Sequence, residues 1–153
     1  MDPVVAEIAE EFQTVHSQLR DEVRDCSPEE LNWKPAPETN SIAVLIVHTL
    51  GSEAEVLRVS AGVPGERDRP AEFRVTAQDA KQLLKELDEA DSYLEAMAPR
   101  ITTDSLFAMR PRGEREPQTS LHWLVTNYGH AREHLAHIQL TKQLYAESAA
   151  QAM

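Results

Sequence analysis

Three times along this chain, apolar residues recur at alternating steps of three and four, a further stretch is apolar nearly all round, and Pro or Gly interrupts the chain between one stretch and the next. That spacing places the apolar groups on one face of a helix with 3.6 residues per turn. The first stripe is Val5, Ile8, Phe12, Val15, Leu19 and Val23, with Asp2 placed to cap it and Pro3 suited to its first turn. Ser27-Pro28-Glu29-Glu30 is a capping box that predicts a short helix to about Trp33, broken by Pro35-Ala36-Pro37. Asn40 or Ser41 opens a second long helix, which ends by Gly62; its stretch Ile42 to Leu50 is apolar nearly all round and belongs at the centre of a bundle. Gly62 to Arg74 reads as a loop. Thr76, with Asp79 three residues on, predicts the start of a third helix, whose buried stripe is Ala80, Leu83, Leu87, Ala90, Leu94 and Met97 and which Pro99 stops. Arg100 to Gln118 has no sustained period and reads as a long loop or short extended excursion. Thr119 or Ser120 starts the last helix, with Leu121, Leu124, Tyr128, Ala131, Leu135, Ile138 and Tyr145 on its apolar face. Four long helices in one domain spanning residues 1–153 make an all-α four-helix bundle with a long loop before the last helix.

Composition agrees and removes several functions. Five Gly and 5% aromatics are few for an all-β chain. The net charge of −11 opposes the clustered Lys and Arg that a nucleic-acid surface needs. The charged residues of the third helix, Lys81, Lys85, Glu86, Asp88, Glu89, Asp91 and Glu95, read as its solvated face. Cys26 has no partner for an internal disulfide or a Cys-x-x-Cys site, and reads as structural or incidental. The N-terminus lacks the basic and apolar regions of a signal peptide, and the run Ile42 to Val47 is far short of a membrane span. A cytoplasmic protein is expected, with neither nucleic acid nor membrane as partner.

Chemistry concentrates in six histidines. His130, His134 and His137 fall at i, i+4 and i+7, His134 about 40° to one side of His130 and His137 about 20° to the other, on one helical stripe. Trp123 and Asn127 extend that stripe, which is a second, more polar face of the last helix. Two imidazoles at i and i+4 can reach one metal ion, although two surface histidines also meet that spacing. His48 is the one polar ring closing the run Ile42-Ala43-Val44-Leu45-Ile46-Val47. A buried ring there needs a partner for its nitrogens: a metal, a backbone carbonyl or a carboxylate. His48 joined to a pair on the last helix makes the three-nitrogen set of an open metal site. His16 and His122 are read as surface or packing residues. His130-Ala131-Arg132-Glu133-His134 is not the zincin His-Glu-x-x-His, no pair of Glu-x-x-His motifs marks a di-iron site, and no nucleophile elbow or phosphate loop occurs.

Two segments carry a family likeness. Ser27-Pro28-Glu29-Glu30-Leu31-Asn32-Trp33-Lys34-Pro35, followed by Asn40-Ser41-Ile42-Ala43 and His48, resembles the short helix, Pro-containing loop and ligand-bearing second helix of the DinB-like (damage-inducible) bundle proteins. Leu121-His122-Trp123-Leu124 and then His130-Ala131-Arg132-Glu133-His134-Leu135-Ala136-His137-Ile138-Gln139 is similar to their closing helix. Relatives in that family include bacillithiol transferases and the N-terminal domains of mycothiol-dependent maleylpyruvate isomerases. The resemblance implies a homodimer and a divalent metal, zinc or nickel, held by His48, His130 and His134. His137 stands where the family often has Gln, as a donor to a ligand or a rival ligand, and Asn127 stands where some members carry a further His.

With a metal in place, a bound thiol would become a nucleophilic thiolate and a bound water would be acidified for hydrolysis. The resemblance favours a transferase joining a low-molecular-weight thiol to a small electrophile. The alternatives are a metal-dependent hydrolase and a non-catalytic, stress-induced metal-binding bundle. Glu53, Asn127, Trp123 and His137 are candidates to line the site.

Overall fold

Each helix begins where a side chain can take the first free backbone N–H groups. The computed structural model describes residues 1–153. Asp2 accepts from Val4 and Val5 and starts α1 (Pro3–Val23). Ser27 caps the one-turn α2 (Pro28–Asn32). Of the two candidate residues, it is Ser41 that accepts from the Val44 N–H and starts α3 (Ile42–Ala61). This helix closes at Gly62, whose φ of 69° is a left-handed conformation that costs glycine little.

The third long helix starts later than Thr76 predicts. Asn32 clasps the backbone of Ala77, donating to its carbonyl and accepting from its N–H at 2.8 Å each, and so holds that segment out of the helix. Asp79 then caps α5 (Ala80–Met97) by accepting from Gln82. The loop expected from Gly62 to Arg74 contains a short helix, α4 (Arg69–Glu72), capped by Asp68 with Pro70 in its first turn. The excursion after Pro99 folds into α6 (Thr103–Phe107) and a two-residue antiparallel pairing of β1 (Met109–Arg110) with β2 (Gln118–Thr119). Thr119 caps α7 (Ser120–Gln151), the last helix.

The long helices form a four-membered ring in which α3 and α1 each pack between α7 and α5. Helices α1 and α3 therefore lie diagonally across the bundle, as do α5 and α7. Diagonal neighbours cannot be joined by a tight turn, which accounts for the long connections through α2 and through the α6–β1–β2 excursion. No helix is long and apolar enough to cross a membrane.

The core is divided in two by a polar layer. One apolar cluster holds Val15, Leu19, Ile46, Leu87 and Leu135, and the other holds Phe12, Val56, Leu94, Leu124 and Trp123. Between them lies His16, fully buried rather than at the surface, with Nε2 2.8 Å from Glu53 and Nδ1 2.6 Å from Asp91. Arg20 also donates to Asp91. Asp91 thus leaves the solvated face assigned to its helix, and the rest of that charged face stays at or near the surface. An imidazole flanked by two carboxylates satisfies both by donating from both nitrogens. Burial opposes that charge, yet the bonds to Glu53 and Asp91 outweigh it and raise the His16 pKa. Burial also raises the pKa of Glu53, against the pull of His16. Both shifts mean that the folded protein holds a proton the unfolded chain releases, a contribution lost as pH rises, whereas Asp91, lowered against burial by its bonds to His16 and Arg20, contributes stability that is lost in acid.

Urea unfolding compared with His16→Gln/Glu53→Gln tests the layer. The His16 part of the advantage should be present at pH about 6.5, the ordinary histidine value, and shrink as pH rises past it. An advantage independent of pH between 6 and 9 would mean that the layer carries no added proton.

Candidate metal centre

Helix α3 faces α7, and the two histidine segments meet at that contact. His48 Nε2 lies 3.2 Å from His130 Nε2, which is 2.9 Å from His134 Nε2. All three nitrogens fall within 4.8 Å of one another, from one buried and two half-buried rings. The three residues named from the sequence are therefore brought together, each by the same ring atom.

The far side of each ring explains its orientation. His48 Nδ1 is 3.0 Å from Glu72 Oε1, so it donates to that carboxylate and leaves the Nε2 lone pair facing inward. Arg67 holds Glu72 with two parallel bonds, Nε to Oε2 at 2.9 Å and Nη2 to Oε1 at 2.8 Å. A Cβ at Gly51 would sit 2.1 Å from Glu72 Oε2, so only glycine leaves room on α3 for the carboxylate one turn beyond His48. The His48 ring also packs on Phe73, at 4.7 Å between centroids.

Burial, with help from neighbouring positive charge, keeps these rings neutral. The pKa of His48 is lowered by burial against the opposing Glu72 bond. Burial and then His48 lower His130 to about 4, and burial and then His130 lower His134 to about 3. Neutral imidazoles with Nε2 atoms this close either share N–H···N bonds or turn their lone pairs onto one cation between them. A divalent cation that prefers nitrogen ligands fits that donor set.

The other candidates separate. His137 is exposed and stands behind His134, Nδ1 to Nδ1 at 3.2 Å, so it adjoins a ring of the cluster without joining it. Glu53, expected as a lining residue, turns to His16 instead; it follows His48 by five residues on α3, too large a rotation to share its face. Asn127 and Trp123 do line the cavity of about 320 Å³ that opens beside His48 and His130. The indole of Trp123 donates to the Arg110 carbonyl at 3.0 Å and carries the Arg112 guanidinium 5.6 Å from its ring. His122 lies at the cavity rim with its backbone capped by Thr119. Cys26 is buried among helix ends, donates to the Glu22 carbonyl and has its thiol pushed up to about 12 by burial, so it is inert, as its isolation in sequence suggests.

Glu72, Arg67 and Arg112 are absent from the sequence reading. Asp68 two residues before Pro70 is a helix-start signal that would have located α4 and so Glu72. Arg67 and Arg112 lie in segments without periodicity, and nothing local marks them.

Fold and site together define an all-α bundle with a three-histidine, metal-type centre at one helix pair. The profile of the DinB superfamily matches residues 5–138, and the chain belongs to that superfamily. Among solved structures it is similar to a conserved protein from Enterococcus faecalis, with 17% identity, TM-score 0.73, and 94% of this chain and 98% of that one covered. It is similar also to a DinB-like protein from Bacillus cereus, with 15% identity, TM-score 0.73, and 91% of each chain covered. A third is YfiT from Bacillus subtilis, described as a probable metal-dependent hydrolase with an unusual four-helix bundle topology: 14% identity, TM-score 0.75, 95% of this chain and 90% of that one covered. At these identities the likeness establishes the fold. No curated protein sequence matches significantly.

Gly51→Ala separates the Glu72 contact from the fold. The added methyl should displace the Glu72 carboxyl and weaken zinc binding about 10- to 100-fold in a competition titration, with the helical circular dichroism unchanged. Unchanged affinity would remove Glu72 from the support of His48.

Proposed function

We propose that this chain is a divalent-metal-dependent enzyme whose metal, zinc or nickel, is held by Nε2 of His48, His130 and His134. The observation that carries the reading is the convergence of three neutral imidazole nitrogens beside a cavity of about 320 Å³. Three protein ligands leave a coordination position open, the mark of catalytic rather than structural sites. A metal there would supply Lewis acidity, lowering the pKa of a thiol or a water brought to it.

The remaining residues orient and line the site. Glu72, fixed by Arg67, holds the His48 tautomer; Phe73 packs against the His48 ring, and Trp123 lines the cavity beside it. Neither carboxylate nearby is free to move protons: Arg67 takes both oxygens of Glu72, and Arg112 and Arg67 both donate to Glu55. A metal held there would keep a thiol as its thiolate, chemistry that asks no general base of the protein, whereas hydrolysis gains from an acid that protonates its leaving group. This favours transfer of a low-molecular-weight thiol to a small electrophilic substrate, as the resemblance implies. Hydrolysis is the second reading, supported by the description of YfiT as a probable metal-dependent hydrolase.

Conjugation of a bimane-type electrophile to bacillithiol, mycothiol or glutathione, run beside ester and amide hydrolysis with zinc- or nickel-loaded protein, tests the reading. A metal-dependent rate with one thiol is expected, falling at least about 100-fold in His48→Ala, His130→Ala and His134→Ala. Hydrolysis without conjugation would replace transfer by the second reading, and no metal-dependent rate of either kind would overturn the enzyme assignment.

A further inference from the structure

The cavity beside the histidine cluster has a charge opposite to that of the chain. Arg67, Arg69, Arg112 and Arg115 all line it, in a protein with a net charge of −11. Two of the four are spoken for, Arg67 by Glu72 and Glu55 and Arg112 by Glu55 and the Ser52 hydroxyl. The other two have no acidic partner. Arg69 rests 5.0 Å from the centroid of the Phe73 ring, and Arg115 makes no side-chain bond. Glu55 and Glu72 thus answer two of four positive charges, leaving an uncompensated surplus around a small polar cavity.

A second observation points the same way. Asn127 is 2% exposed, lines this cavity, and its Nδ2 has no hydrogen-bond partner. Its orientation is fixed by a chain of donors. Arg112 Nη2 donates to Ser52 Oγ at 3.0 Å, and Ser52 Oγ donates onward to Asn127 Oδ1 at 2.6 Å. The amide nitrogen is then left as the free end, a buried donor that in isolation costs about 1–3 kcal/mol. A neutral acceptor would answer the donor but not the guanidinium surplus, and a cation would answer neither. An acceptor carrying negative charge answers both.

We propose that this cavity is an oxyanion subsite, in which Arg69, Arg115 and Asn127 Nδ2 take a carboxylate or phosphate group of the substrate. The subsite rests on the proposed function for its purpose, since it would hold an anionic substrate with its reacting end toward His48 and His130. Its binding chemistry belongs to the arginines and Asn127 alone.

Calorimetric titration of EDTA-treated, metal-free protein at low salt isolates that chemistry, because no metal is then present to ligate the anion. The probes are malonate, inorganic phosphate and the neutral malonamide. Malonate or phosphate should bind and malonamide should not; which anion binds tighter identifies the group that the subsite prefers. Arg69→Gln and Arg115→Gln, both at exposed positions, and Asn127→Leu should each weaken the anion about tenfold, while Lys85→Gln on the far face of α5 should leave it unchanged. Equal binding of malonamide, no anion binding, or full affinity in Arg69→Gln/Arg115→Gln would overturn the subsite. The two claims fail separately. Anion binding that persists in His130→Ala, together with histidines that take up no metal in the native protein, refutes the metal reading and leaves the subsite; metal uptake without anion binding does the reverse.

Discussion

The contact between α3 and α7 brings three imidazole nitrogens from two distant segments of the chain within 4.8 Å of one another. His48 comes from the most apolar segment of the chain, and His130 and His134 from the polar flank of the last helix, so the site exists only when those two surfaces meet. Helix α3 is buried nearly all round, which leaves its rotation little freedom once Ile42, Ile46 and Leu50 are seated. His48 lies two residues beyond Ile46, and its direction follows from that packing. The remaining freedom of the ring is removed by Glu72, which Arg67 aligns and which reaches His48 only across Gly51. Rigidity thus comes from the bundle, and ring orientation from the connection after α3.

Two buried polar systems share this bundle without sharing residues. The layer of His16, Glu53, Asp91 and Arg20 separates the apolar clusters and holds charge, with His16 raised in pKa by its carboxylates after the cost of burial is overcome. The cluster at α3 and α7 holds none, with His130 and His134 lowered to about 4 and 3, by burial first. The difference is the partner: carboxylates on both nitrogens in the first case, other imidazoles at every Nε2 in the second. Glu53 and His48 leave α3 on different faces and serve different systems, which is why one side chain cannot belong to both.

Much of this architecture was legible in the residues. The apolar stripes, the capping residues Asp2, Ser27 and Thr119, and the polar stripe of His130 and His134 are local patterns, and local patterns survive folding. What escaped depends on contacts distant in sequence. Thr76 looked like a cap until Asn32, 45 residues away from Ala77, held that segment out of the helix. His16 looked ordinary because neither Glu53 nor Asp91 is near it along the chain. Glu72, Arg67 and Arg112 sit in aperiodic connections whose path is decided by the diagonal helix order, which no single segment encodes.

The central claim is that one divalent ion is bound by these three histidines through nitrogen. X-ray absorption at the metal edge of zinc- or nickel-loaded protein reads that directly. The account predicts one ion per chain with about three imidazole nitrogens at about 2.0–2.1 Å, and loss of imidazole scattering from the pattern when His130 is replaced by Ala. A sulfur donor at about 2.3 Å, which only Cys26 or a Met could supply, or a shell unchanged in His130→Ala, would contradict it.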